Sequence, residues 1–185
     1  MLHSDAYGDH IGLMNLKPPA PSEYNEFYAG YLARAEADPL AQLARQAEEV
    51  GALSALGDAR AELPPKPGEW SAKQILGHLC DFERVFSYRA LRFSRGDETP
   101  LSGFEQDPYV ATGRANERPL AELIEEFVAL RTATLLLFRS FTEDMLDLGG
   151  VASGNPVTVR ALVFITPGHC EGHLADIRRD YGART

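Results

Sequence analysis

The chain has 185 residues, 44% of them apolar and 24% charged, which suits one domain with a well-developed core. Its 18 Lys and Arg are outnumbered by 27 Asp and Glu, and the net charge of −9 argues against direct binding to nucleic acid, whose phosphates need a basic surface. No stretch approaches the ~18 uninterrupted apolar residues of a membrane span, and the N-terminus does not read as a secretory signal, so we expect a cytoplasmic protein without a membrane partner.

The N-terminal part predicts an arm followed by a small helix. Residues 1–21 are mixed in composition and end in prolines, which is typical of an extended or loosely ordered segment. Residues 22–37 carry aromatic side chains at steps of three and four, the spacing of a helix that packs one face on a larger body. We therefore expect an arm over residues 1–21 and a single helical domain over residues 22–185.

Two long helices are predicted next. The first covers about residues 39–56, where apolar residues recur at helical spacing behind a proline that suits a first turn. The second covers about residues 72–94 and has the clearest start in the chain, because Ser71 and Gln74 match a capping box. A proline-rich connection that cannot be helical separates the two helices.

Two more long helices complete the pattern. The third covers about residues 119–141, and the fourth begins at a Thr158 cap and ends near residue 181, before the stop signal Gly182. The second and third helices are joined by residues 96–118, and connections of this length are often functional covers. No segment shows a sustained alternating pattern, so we predict an all-α four-helix bundle with a short extra N-terminal helix.

Three of the five histidines lie on predicted core faces. His169 and His173 are four residues apart on the last helix, so their side chains project from one face, one turn apart. His78 lies on the apolar face of the second long helix. An unpartnered polar group in a core costs about 1–3 kcal/mol, and neutral imidazole is a common metal ligand. This pattern predicts a divalent-metal site, with satisfied core histidines as the alternative; His3 and His10, in the arm, are weak candidates.

A metal held by three histidines keeps at least one coordination position open, as in catalytic rather than structural zinc sites. The reactive group would then be water or a thiolate on that metal, and no catalytic side chain is predicted. Zinc or nickel is expected first, with iron or manganese as alternatives. Asp81 and Asp176 each follow a histidine by three residues and either orient a ring nitrogen or face solvent. Cys80 and Cys170 are expected to be free, buried thiols.

Two motifs surround these histidines. Residues 70–79 read WSAKQILGHL, and residues 168–177 read GHCEGHLADI after a helix start at 158–162. They resemble the W-S-x-x-x-I-x-x-H-L and G-H-x-x-H-H-L-x-x-I elements of the DinB-like superfamily, also called the DinB/YfiT family. The second family element often has two adjacent histidines. In this chain the first of these two positions is Gly172 and the second is His173, so any role of the additional histidine is absent.

The resemblance implies a bundle of up-down-down-up topology in which His78, His169 and His173 hold one metal ion, and commonly a homodimer. The family includes thiol-dependent S-transferases, so the resemblance also implies a small-molecule substrate and a low-molecular-weight thiol. Arg89 and Arg114 are candidates to pair with acidic groups of such a thiol, although arginines at such positions usually face solvent.

Two functions from different classes stay open at this point. The first is a metal-dependent enzyme of the thiol S-transferase or hydrolase type, which uses the open position on the metal. The second is a non-catalytic, stress-related metal- or ligand-binding helical protein. The second is kept because the sequence shows no obvious general base beside the three histidines.

Overall fold

The computed structural model describes residues 16–182. Most of the predicted N-terminal arm, including His3 and His10, lies outside the described residues, so the division between arm and domain stays a prediction. None of the helices in residues 16–182 combines the length and the apolar character needed to cross a bilayer.

Helices dominate the described chain, with one two-stranded ribbon before the last helix. In chain order the elements are α1 (Ala29–Leu32), α2 (Pro39–Ala52), α3 (Asp58–Ala61), α4 (Ala72–Ser94), α5 (Gln106–Thr112), α6 (Leu120–Arg139), α7 (Glu143–Leu146), β1 (Gly149–Ala152), β2 (Asn155–Thr158) and α8 (Val159–Tyr181).

The four long helices α2, α4, α6 and α8 form a bundle. Helix α2 packs against α6 and α8, and α4 packs against the same two helices, so α2 and α4 lie diagonally opposite each other. Short α1 packs on α8. The apolar faces of these helices meet in the core, as ridge-and-groove packing of amphipathic helices requires. The predicted four-helix bundle is confirmed.

The predicted helix ends agree closely with the structure because their caps are local. The Ser71 hydroxyl accepts from the Gln74 backbone N–H, and the Gln74 side chain accepts from the Ser71 backbone N–H, which completes the capping box. The Thr158 hydroxyl accepts from the backbone N–H of Ala161 at the start of α8. At the other end Gly182 has φ +60°, a left-handed conformation that suits glycine.

The predicted short N-terminal helix is present as α1, but it does not extend over residues 22–37. The structure has the 3-10 turns Pro21–Glu23 and Glu26–Tyr28, followed by the one-turn helix α1. The Asn25 side chain accepts from the Phe27 backbone N–H and starts a new turn there. A side-chain bond of this kind competes with helix continuation, which explains the break.

The ribbon of β1 and β2 was not predicted. Ser153 and Gly154 connect the strands with φ +53° and +75°, the combination of a two-residue type I′ hairpin turn. Each strand has only four residues, too few for a recognisable alternation. The connection 96–118 packs here, because the Leu101 backbone N–H donates to the carbonyl of Val151 at 2.8 Å. That connection also contains α5, so it is more ordered than its composition indicates.

Candidate metal centre

The structure brings the three predicted histidines together in the bundle core. His78 comes from α4, and His169 and His173 come from α8. One nitrogen from each ring lies within 4.8 Å of the others, and the Nε2 atoms of His78 and His169 are 3.0 Å apart. Such a group of three imidazole nitrogens is able to hold one metal ion.

The packing of α4 on α8 creates this cluster. His78 lies within the apolar stripe of α4, between Ile75 and Phe82, and this stripe faces α8. His169 and His173 point from α8 toward α4 because they are one helical turn apart. His78 and His169 are each only 2% exposed, so their rings are almost entirely removed from water.

No carboxylate in residues 16–182 forms a hydrogen bond with these rings. The Nδ1 atoms of His78 and His169 are buried and lack a partner among the described residues. Asp176 instead accepts from Arg179, and Asp81 makes no direct bond to His78. The two aspartates are therefore not direct partners of the ring nitrogens.

Burial keeps the three imidazoles neutral. It lowers the pKa of His78 to about 3, with a smaller contribution from the neighbouring His173. It also lowers the pKa of His169 well below the usual value and lowers that of His173. Neutral imidazole nitrogens have a free lone pair, which is the form that binds a metal. The donor set and its protonation thus fit a divalent transition metal.

We expect the chelator-treated protein to lose stability as the pH falls below about 6.5. An unfolded histidine binds a proton near pH 6.5, whereas the pKa of His78 in the folded protein is about 3. Between these values the unfolded chain binds more protons, so the free energy of unfolding falls by about 1.4 kcal/mol per pH unit for each such histidine. Urea denaturation between about pH 7 and pH 5 measures this slope. A His78→Gln variant with an unchanged slope would contradict the prediction.

Aromatic side chains enclose the histidines. The Phe82 ring stacks on His169 with 3.5 Å between ring centroids, and the Tyr31 ring meets His169 edge-on at 5.1 Å. Trp70 lies 6.1 Å from His173 in a stacked arrangement. These rings help to shield His78 and His169 from water, and electrostatic interactions are stronger in such an environment. Of the three aromatic residues, only Trp70 belongs to a motif that the sequence analysis connected with the site.

Cavities reach the cluster from different sides. One has a volume of about 580 Å³ and includes His169, Tyr31 and Phe82 in its lining. A second, of about 280 Å³, is lined by His173 and Trp70. A third, of about 60 Å³, lies beside His78 and has room for ordered water. Small molecules therefore have two separate approaches to the histidines.

The two cysteines are free and buried, as predicted, and do not join the cluster. Burial raises the pKa of the Cys80 thiol to about 12 and that of the Cys170 thiol to about 11. Since the thiolate is the reactive form of cysteine, neither side chain is suited to act as a nucleophile.

A buried ion pair behind the cluster was missed by the sequence analysis. Arg131 on α6 contacts Glu83 on α4 through two bonds of 2.9 and 3.0 Å, and the two side chains are 1% and 2% exposed. Arg131 also donates to the Gln46 amide oxygen, and the Gln46 amide nitrogen donates to the carbonyl of Pro167, two residues before His169. The available signal was the position of a charged Arg131 within an apolar helical stripe.

Comparisons with known proteins agree with this architecture. A family model described as the DinB superfamily matches residues 30–177, a range that includes all three histidines. No curated protein matches the chain. One similar solved structure is YfiT from Bacillus subtilis, described as "a probable metal-dependent hydrolase with an unusual four-helix bundle topology". It shares 15% sequence identity, the match covers 91% of this chain and 95% of that chain, and the TM-score is 0.69. At this identity the likeness shows the fold alone.

Proposed function

The chain belongs to the DinB superfamily, and from this premise we propose that it is a metal-dependent enzyme with His78, His169 and His173 as ligands of one divalent transition metal. The observation that carries the proposal is the meeting of three neutral imidazoles, two of them buried and the third half-buried, with no carboxylate hydrogen-bonded to them among the described residues. Zinc or nickel is proposed first, and iron or manganese are the alternatives.

A metal ion explains why these polar rings lie in the core. In its absence, at most one of the facing Nε2 atoms of His78 and His169 can donate to the other. An unsatisfied buried polar group costs about 1–3 kcal/mol, and the Nδ1 atoms of His78 and His169 are two such groups. A shared metal would accept one lone pair from each ring, so that one nitrogen of each of the three histidines would have a common partner.

The residues around the histidines suit catalysis more than storage. A metal with three histidine ligands keeps an open position and supplies a Lewis acid that lowers the pKa of a bound water or thiol. Phe82 packs on His169 and Trp70 on His173, and neutral rings would leave the charge of the metal largely uncompensated. This arrangement would support attack by a deprotonated nucleophile near neutral pH.

The two approaches to the histidines favour a reaction between two molecules. Hydrolysis needs one organic substrate, whereas thiol transfer needs an electrophile and a low-molecular-weight thiol. The larger cavity at His169 would take the electrophile, and the smaller one at His173 would take the thiol. The protein's own thiols are buried, so the nucleophile would have to enter from outside. We therefore propose thiol S-transfer first and hydrolysis second; assembly as a homodimer and a cytoplasmic location stay predictions.

The first test is metal content, measured by mass spectrometry on untagged protein after incubation with zinc or nickel and dialysis. We expect about one equivalent in the wild type and almost none in a folded His169→Ala/His173→Ala variant. His3→Ala/His10→Ala is the matched control, because it removes two histidines that neither sequence motif contains and should keep the metal. Wild-type protein without metal under all conditions would overturn the proposal.

The same samples distinguish the reactions. With 1-chloro-2,4-dinitrobenzene and a small thiol, transfer forms a sulfur–carbon bond, breaks the carbon–chlorine bond and releases chloride and a proton. We expect thiol and electrophile to disappear in equal amounts only with metal-loaded protein. Turnover of an ester without thiol would favour hydrolysis instead. Metal binding without turnover of either kind would favour the non-catalytic alternative.

A further inference from the structure

Arg89 differs from the other buried basic side chains of the described chain. Lys73, Arg131 and Arg160 each contact a carboxylate, at distances of 2.6, 2.9 and 2.6 Å. Arg89 is 2% exposed, yet no carboxylate in residues 16–182 lies within 4.0 Å of it. A buried guanidinium without a counter-ion is costly, so its position calls for an anion that is not part of the described chain.

The groups that hold Arg89 are neutral. Its Nη2 atom donates to the carbonyl of Ser102 at 3.2 Å and to the hydroxyl of Ser153 at 2.8 Å. These bonds orient the guanidinium but do not compensate its charge. Burial lowers the pKa of Arg89, and the nearby Tyr28 phenol opposes this effect only in part. The Tyr28 phenol also interacts with the guanidinium, so the polar groups that contact Arg89 among the described residues are all neutral.

Arg89 lines the same cavity of about 580 Å³ that reaches His169. Between them the wall is largely aromatic and includes Tyr28, Phe82 and Phe86. Arg89 follows His78 by 11 residues on α4, or about 16 Å along the helix axis. The arginine side chain leans toward the helix N-terminus and shortens the remaining gap. A ligand that touches both ends of the cavity is therefore elongated and apolar in its middle.

The acidic residues of this cavity lie at its rim. Glu105 and Asp107 are both exposed, so water and salt screen their charges. Arg89 is buried, so its charge is screened less than the charges of these two carboxylates. An anionic group is thus favoured beside Arg89 rather than near the rim.

We propose that this cavity binds an elongated, largely apolar or aromatic carboxylic acid, with its carboxylate paired to Arg89 and its other end at the histidines. A carboxylate matches the single charge of Arg89, and its geometry suits paired bonds with a guanidinium. Such an acid would be the substrate of the proposed metal-dependent enzyme, so this inference rests on the proposed function.

Calorimetry on chelator-treated wild-type protein tests the assignment without a metal that could itself bind a carboxylate. The probes are 4-phenylbutyrate, its neutral amide and 4-phenylbutyl phosphate. We expect the acid to bind at least about tenfold more tightly than the amide, and more tightly than the phosphate. Equal affinity for acid and amide, preference for the phosphate, or no binding of the acid would overturn the proposal.

Variants locate the effect. Arg89→Gln should abolish the preference for the acid, whereas Arg139→Gln, which removes an exposed arginine from α6, should preserve it. If folded Arg89→Gln still prefers the acid over the amide, the proposal is overturned. If that variant does not fold, the comparison of acid, amide and phosphate on the wild-type protein still decides. Loss of acid preference with intact metal binding contradicts only this inference. Absence of metal with intact acid preference contradicts only the proposed function.

Discussion

Replacement of Gly168 with alanine is expected to lower the free energy of unfolding by about 3 kcal/mol and to displace α1 from α8. A Cβ atom at this position would lie 2.0 Å from the carbonyl oxygen of Tyr31 and 2.7 Å from its carbonyl carbon. Both are backbone atoms, so a rotamer change cannot relieve the overlap, and overpacking of this kind is strongly destabilising. Urea denaturation followed by circular dichroism measures the loss.

Gly172→Ala is the matched control for this substitution. It lies one turn further along α8, where the nearest atom to an added Cβ is in the flexible Arg34 side chain at 3.8 Å. Because alanine favours a helix over glycine, we expect this variant to gain up to about 1 kcal/mol. Equal stability of the two variants would show that α1 does not pack on α8 as closely as the structure indicates.

The displacement should also reach the candidate site. Tyr31 lines the large cavity and touches His169 edge-on, so α1 sets the width of the cavity beside the cluster. In Gly168→Ala the binding of 4-phenylbutyrate should therefore weaken, even under conditions where the protein remains folded. Unchanged affinity would mean that α1 does not shape the cavity.

Replacement of Arg131 with methionine is expected to lower the free energy of unfolding by about 3–5 kcal/mol. The change leaves the Glu83 carboxylate buried without its cation, and an uncompensated buried charge is strongly destabilising. It also removes a donor to Gln46, whose amide holds the carbonyl of Pro167 close to His169. Chemical denaturation of the variant gives the value directly.

The chain offers two controls for this result. Arg84→Met breaks an ion pair with Glu126 that also joins α4 and α6, but Arg84 is 49% exposed, so the loss should stay below about 1 kcal/mol. The double variant Glu83→Leu/Arg131→Met removes both buried charges and should recover most of the stability. A double variant as unstable as Arg131→Met alone would contradict the account based on an uncompensated charge.

Local patterns were enough to predict the helical architecture and the three histidines of the candidate site, but not the residues around them. The capping box at Ser71 and the Thr158 cap involve residues three positions apart, so their bonds are visible in the sequence. The spacing of His169 and His173 places both rings on one face of any helix that contains them. For the same reason, the inward orientation of His78 followed from its place in an apolar stripe.

Tertiary structure alone decided what surrounds these histidines. Arg89 and Ser153 are 64 residues apart, and Gln46 and Pro167 are 121 residues apart. Neither contact has a local signature. Arginine in a helix is usually solvated, so only the packing of the connection and the ribbon on α4 shows that Arg89 is buried at the end of a cavity. Through its periodicity, the sequence determined which side chains point inward. The packing of α4 on α8 determined which of them meet, because such meetings depend on contacts between residues far apart in the chain.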